Sequence, residues 1–215
     1  MIQKLNEQGK IFFNAIGGGI FIGIAGTVFL SVPNSVMGAF LFGFGLLTIL
    51  CCQFKLYTGA IGYLAVKGKK FPAYLWELFL IWTGNLAGCF LVGSLIRVSR
   101  TFGKIQSRVT AISMEKLNDS PLSILILAFF CGILMYCGVE LFKRKNLPEI
   151  CRFALVFLCV SIFILSGFEH CIANMYYYTA AGVWSGKALC SILLMTLGNS
   201  LGGMLLPAFG HIQKD

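Results

Sequence analysis

Charge is what this chain has least of. Charged residues fill 12% of its 215 positions, hydrophobic residues fill 58%, and the mean hydropathy is +0.85. A soluble domain needs a solvated surface, and this composition cannot supply one. Other absences narrow the chemistry. There are two histidines, His170 and His211, with no second imidazole near the first, which argues against a zinc or haem site. The nine cysteines form no C-x-x-C pair and fall within or at the ends of apolar runs, where cysteine acts as a small hydrophobe. No Gly-rich phosphate loop is present, and no Ser or Cys nucleophile has a recognisable base. No basic stretch interleaves with exposed aromatics, so nucleic acid is not an expected partner. No cofactor and no enzymatic activity are expected.

What the chain does have is apolar length. Runs of about 20 residues, enough to cross roughly 30 Å of hydrocarbon, predict six membrane spans. They cover residues 11–30, 37–66, 73–96, 121–142, 151–178 and 185–208. The segment Met1 to Lys10 is short and of mixed charge, so the first span is expected to remain rather than be cleaved. With the N-terminus inside, the inner side collects Lys4, Lys10, Lys67, Lys69, Lys70, Lys143, Arg144, Lys145, Arg152 and Lys214. The outer side collects Arg97, Arg100, Lys104, Arg108, Lys116 and Lys187, and the excess inside predicts both termini in the cytoplasm. The net charge is +9. Inner bases suit anionic lipid head groups, whereas the outer loop from Arg97 to Lys116 reads as a field that gathers anions at the entrance.

Gly167-Phe168-Glu169-His170-Cys171-Ile172-Ala173-Asn174-Met175 places an acid, an imidazole and an amide at membrane depth, where ionisable groups are costly and usually used. A weak repeat surrounds it. Gly84-Asn85 in span three answers Gly198-Asn199 in span six, and each half has an interrupted middle span, at Lys55 to Ala60 and at Ser166 to Asn174. Three spans per half make the repeats inverted, about 11–96 and 121–208 within a single domain over 1–215. Paired broken segments point to a site near the midplane, so Thr58 and His170 are expected to meet there. Free N–H groups at the starts of the second half-helices are expected to favour an anion. Gly17, Gly18, Gly19, Gly23 and Gly26 in span one, with Gly38, Gly43 and Gly45 in span two, predict close packing.

Leu56-Tyr57-Thr58-Gly59, Gly84-Asn85, Gly132-Ile133-Leu134 and Phe168 to Met175 together resemble the formate/nitrite transporter family over nearly the whole chain. The resemblance implies an all-α, aquaporin-like six-helix subunit with helices 2 and 5 broken. It further implies a homopentamer in a bacterial cytoplasmic membrane, with one pore per subunit for formate, nitrite, hydrosulfide or short carboxylates. By position, His170 matches the central pore histidine, Thr58 its hydrogen-bonding threonine and Asn174 the amide downstream. Phe42, Leu46, Leu56 and Phe163 match the apolar positions that narrow the pore. Four positions bear on the details. Lys55 stands where the family carries an acid, Ala60 and Tyr136 stand where it carries asparagines, and Lys116 is the nearest match to its outer lysine. Glu169 reads as support for the loop, paired with a base or with a protonated His170.

The expected mechanism has outer bases gathering the anion, Thr58 and the broken-helix amides holding it, and His170 supplying charge or a proton. A bland alternative keeps His170 neutral within a polar network with Thr58 and Asn174. The rival functions are a pore for neutral solutes and a non-conducting regulatory membrane subunit.

Overall fold

The computed structural model describes residues 2–67 and 70–210, with side chains from Asn6 onward. Lys69, His211 and Lys214 lie outside the described residues, as does the side chain of Lys4. Among the described residues the chain is helical and has no strand. Four helices are long and apolar enough to cross a membrane. These are α1 (Ile2–Ser31), α4 (Phe71–Arg97), α6 (Pro121–Lys143) and α9 (Gly186–Ala208). The predicted span 37–66, expected to be interrupted, falls into two pieces. Helix α2 (Ser35–Cys51) ends before a short α3 (Tyr57–Ala60), which runs on as a 3₁₀ turn at Ile61–Val66. The predicted span 151–178 likewise divides into α7 (Glu149–Leu165) and α8 (Cys171–Ala181). The first break begins earlier in the chain than the sequence pattern placed it, at Cys52 rather than Lys55, whereas the second begins at Ser166 as expected and ends sooner, at His170.

Each break has the same cause. Gln53 in the first (φ 57°) and Gly167 in the second (φ 68°) turn the chain left-handed. The amide two residues past each C-cap then reaches back across the last turn, Phe54 to the Ile49 carbonyl and Phe168 to the Phe163 carbonyl, both at 2.9 Å. That closure is the Schellman ending of a helix. It leaves backbone groups exposed at membrane depth, where each unsatisfied one is costly. Two asparagines meet them. Asn85 on α4 accepts from the Tyr57 amide at 2.9 Å and donates to the carbonyls of Lys55 (2.8 Å) and Ala15 (2.7 Å). Asn199 on α9 accepts from the Cys171 amide at 2.9 Å and donates to Glu169 (2.8 Å) and Ala128 (2.7 Å). Each asparagine therefore ties a break to its own helix and to a third helix.

Glycine makes those three-way contacts short enough. A Cβ on Gly19 would collide with the Asn85 carbonyl, and one on Gly88 with the Ile16 carbonyl, which locks α1 against α4. A Cβ on Gly132 or Gly202 would meet the carbonyls of Asn199 or Phe129, which locks α6 against α9. Of the glycines read from the sequence as packing residues, Gly19 therefore acts within the subunit at the α1–α4 crossing, where it is joined by Gly88.

Between the halves lies an element that the sequence reading left as a loop, α5 (Phe102–Asn118). Its buried residues Ile105, Val109, Ser113 and Leu117 recur every four positions and form one face. This helix explains the outer bases. Arg108 donates to the carbonyls of Phe29 (2.9 Å) and Val32 at the C-terminal end of α1, and its guanidinium lies 4.5 Å from the Phe29 ring centre. Arg97 reaches the Thr179 carbonyl near the end of α8, and Lys187 donates to Asn118. Arg108 and Arg97 so satisfy and oppose the negative ends of helices. The end of α1 and the start of α9 that meet this helix mark one face of the molecule, and α1 begins and α9 ends on the other.

Two substitutions test this framework. Gly202→Ala should destabilise the subunit by about 1–3 kcal/mol, because its methyl must displace the Phe129 backbone rather than a flexible side chain. Asn85→Leu should cost about as much for each buried backbone group it strands, roughly 1–3 kcal/mol apiece. Thermal unfolding in detergent measures both, and a melting temperature equal to the wild type for either would contradict the clamp.

Candidate functional site

His170 is the N-cap of α8, in extended backbone (φ −100°, ψ 112°). Its Nδ1 accepts from the Ala173 amide at 3.0 Å, a place usually held by Ser, Thr, Asp or Asn. The cap requires a lone pair on Nδ1, so the ring proton sits on Nε2. That atom faces Thr58 Oγ1, in the first turn of α3, at 2.9 Å. The start of one broken helix thus touches the start of the other through a buried side-chain bond, as the sequence predicted. Thr58 and His170 are 0% and 1% exposed. The Phe163 ring stacks on His170 at 5.5 Å, and the Phe42 ring meets Phe163 edge-on at 6.0 Å. Leu46 lies one turn beyond Phe42 on α2 and Leu56 is the N-cap of α3, and both are buried.

A second set of bonds holds His170 from the α5 side. Asn174 Nδ2 donates to the His170 carbonyl at 3.0 Å and to Glu169 Oε2 at 2.8 Å. Lys116 of α5 donates to both Glu169 oxygens, at 2.8 and 2.7 Å. Glu169 is almost fully buried, and a charge at that depth needs such a partner. Asn174 Oδ1 is buried and has no hydrogen-bond partner among the described residues. Thr58, His170, Asn174, Glu169 and Lys116 therefore form one connected network. Lys55 and Tyr136 stand apart from it: Lys55 pairs with Glu77 at 2.8 Å, and Tyr136 packs edge-on against Tyr63.

Two cavities approach this network from opposite faces. The larger, about 620 Å³, opens beside α5 and reaches Phe163, His170, Asn174, Glu169 and Lys116. The smaller, about 250 Å³, reaches Leu46, Leu56, Lys55 and Lys143. Phe163 and His170 bound one cavity and Leu46 and Leu56 bound the other.

Three expectations change. The cavity beside α5 is not ringed by the bases expected to gather anions: it is lined by Glu115, Asp119 and Glu169 against Lys116, and Arg108 and Arg97 are committed to helix ends. The amides at the half-helix starts are not all free, since Asn85 and Asn199 take those of Tyr57 and Cys171 and His170 takes that of Ala173. The repeat register also shifts from the one the sequence spacing offers, which sets Thr58, 27 residues before Asn85, against His170, 29 residues before Asn199. Tyr57 lies 28 residues before Asn85 and Cys171 lies 28 before Asn199, which makes Leu56, not Thr58, the counterpart of His170. Sequence reasoning missed Glu77 as the partner of Lys55, and Phe29 and Tyr177 as wall residues of the large cavity. A basic side chain at the break followed by a lone acid on the next helix was the available signal for Glu77. Among the described residues, no group of three or more His, Cys, Asp or Glu side chains could hold a metal ion.

Comparison with known proteins agrees with this architecture. The sequence model of the Formate/nitrite transporter family matches residues 2–212. The formate channel FocB of Escherichia coli (strain K12) is 26% identical over 193 residues, covering 78% of this chain and 64% of FocB. The chain thus spans just under two thirds of that relative's length. The nitrite transporter NirC of the same strain is 27% identical over 205 residues, covering 84% of this chain and 71% of NirC. In three dimensions the fold superposes on a solved pentameric formate channel with formate bound, with a TM-score of 0.81 and 23% identity. That match covers 95% of this chain and 96% of the other. An FNT family ion channel superposes with the same score, 22% identity and coverage of 96% and 90%. With its apolar helices and its matched residues, this multi-pass membrane protein belongs to the formate/nitrite transporter family.

Proposed function

We propose that this chain forms a selective pore for small monovalent anions, such as formate, nitrite, hydrosulfide or short carboxylates, that cross between the two cavities as their neutral acids. The observation that carries the reading is the buried Thr58–His170 pair, with Phe163 bounding one cavity and Leu46 and Leu56 the other. In this reading Phe42, Leu46, Leu56 and Phe163 form the constriction, and the broken helices are the middle spans of two inverted repeats, 11–96 and 121–208. Both termini face the cytoplasm. Five subunits assemble in the lipid bilayer, in keeping with the pentameric formate channel whose fold this chain shares.

Charge explains the neutral passage. An unpaired anion between apolar rings is costly, whereas its protonated form loses little by leaving water. His170 with Nδ1 held by its cap is a neutral imidazole, and surrendering the Nε2 proton would leave an imidazolate. The ring is therefore a fixed donor that orients the Thr58 hydroxyl toward the solute, and the proton arrives with the solute from the cavity. Glu169 and Lys116 cancel one another, so the network adds no net charge next to the passing molecule. Its task is to hold the N-cap rigid, through Asn174 and the Asn199 bond to the Glu169 carbonyl.

Stopped-flow flux into proteoliposomes tests this. Wild-type formate flux should rise as pH falls, by about tenfold per unit above the acid's own pKa while the neutral form is scarce. His170→Asn keeps a cap acceptor and cannot titrate, so its pH profile should keep that slope. A slope lost in His170→Asn would assign the proton to the ring instead. His170→Phe removes both the cap and the Thr58 partner, and should change the ratio of formate to nitrite flux several-fold. Unchanged flux and pH profile would remove His170 from the mechanism. An uncharged solute crossing faster than formate would favour the neutral-solute pore.

Lys116→Met, which strands a buried carboxylate, should cost about 3–5 kcal/mol. Lys116→Met with Glu169→Gln should recover part of that loss in the melting temperature. Equal melting of the single variant and wild type would contradict the pairing.

A further inference from the structure

The cavity on the side where the termini lie is not accounted for by a neutral passage. Its wall carries two cations, Lys55 and Lys143, and no carboxylate, and the other polar side chain is Gln53. The remainder is apolar, with Ile49, Leu50 and Val139 among it, and Gly59 and Ala60 add little bulk. The large cavity on the other face has the opposite character, with three acids against one base. The two mouths of the channel are therefore electrostatically unlike.

The lysines are positioned from behind. Glu77 takes Lys55 at 2.8 Å and does not line the cavity. Lys143 donates to the Tyr63 hydroxyl at 2.7 Å, and that hydroxyl in turn donates to Glu140. Lys143 thus touches a neutral oxygen, and among the described residues no carboxylate lies within 4.0 Å of it. An ammonium has three donors, so each lysine keeps capacity for a further acceptor. The opposite charge of Glu140 acts on Lys143 more strongly than the like charge of Lys55, so the two cations are tolerated side by side. Charge-assisted bonds to a carboxylate are the strong kind.

Size selects the class of anion. A water's share of liquid volume is about 30 Å³, so formate alone would leave most of this cavity unfilled. The apolar wall suits an aliphatic tail. We propose that this cavity is a second anion site, in which Lys55 and Lys143 hold the carboxylate of a short-chain monocarboxylate while its tail lies against Ile49, Leu50 and Val139. The site rests on the anion-pore reading and adds to it a loading station on the side of the termini, from which the solute enters the constriction at Leu46 and Leu56.

Zero-trans flux of formate and butyrate, measured in right-side-out and inside-out membrane vesicles, tests the site. The variants are Lys143→Gln, the double variant Lys55→Gln/Lys143→Gln and the double variant Lys55→Arg/Lys143→Arg. For solute presented on the side of the termini, the double glutamine variant should raise the half-saturation concentration by about tenfold. The arginine variant should stay near wild type, and half-saturation from the opposite side should not move in any of them. Lys143→Gln strands no carboxylate, so it reads the site even where the double variant folds poorly, and it should shift half-saturation in the same direction. Unchanged half-saturation in Lys143→Gln and the double variant, or an equal rise from both sides, overturns the site and leaves the pore standing. A wild-type protein that carries neither solute from either side overturns both.

Discussion

The structure depends on how it satisfies backbone polar groups where its helices break inside the bilayer. Hydrocarbon offers no water to an exposed amide or carbonyl, so a broken helix survives only if something else supplies the missing bonds. Asn85 and Asn199 supply three each, to a matching set of backbone atoms in the two halves. The consequences spread outward. The amide clamps fix where α3 and α8 start, those starts decide that Thr58 and His170 meet, and that meeting buries a hydrogen-bonding pair beside the Phe163 ring.

Glycine is the condition for the clamps. An asparagine side chain reaches across one helix contact only if the backbones approach closely, and Gly19, Gly88, Gly132 and Gly202 remove the atoms that would keep them apart. The same chain spends its scarce charges at helix ends and on one buried pair. Arg108 closes α1, and Lys116 neutralises Glu169. In a basic stretch that looks from the sequence like a lure for anions, three residues are ties in three dimensions: Arg97 to the end of α8, Arg108 to the end of α1 and Lys116 to Glu169.

Much of this was legible in the residues. Four long apolar helices, two interrupted ones, the paired Gly-Asn motifs and the contact of Thr58 with His170 all follow from hydropathy, spacing and the cost of polarity in lipid. What was not legible has physical reasons. Helix α5 was hidden because half its residues are polar, and its period of four was overlooked beside the hydropathy of its neighbours. The first break was placed late because Gln53, unlike Gly167 in the second, gives no sign that it adopts a left-handed conformation. The repeat register slipped by two residues because Thr58 and His170 look functionally alike, whereas the backbone pairs Leu56 with His170. Side-chain partners across elements, such as Glu77 for Lys55, depend on a tertiary approach that spacing alone does not encode.

The four apolar side chains that flank the Thr58–His170 pair are carried by α2, the N-cap of α3, and α7. None belongs to the glycine-locked pairs α1 with α4 or α6 with α9. The crossings at Gly19, Gly88, Gly132 and Gly202 thus involve none of the helices that carry these side chains, although α2 has glycine contacts of its own, Gly45 with α1 and Gly43 with α7. In the proposed pore, exchanging one apolar side chain for another beside Thr58 and His170 would change what passes while leaving those four crossings as they are.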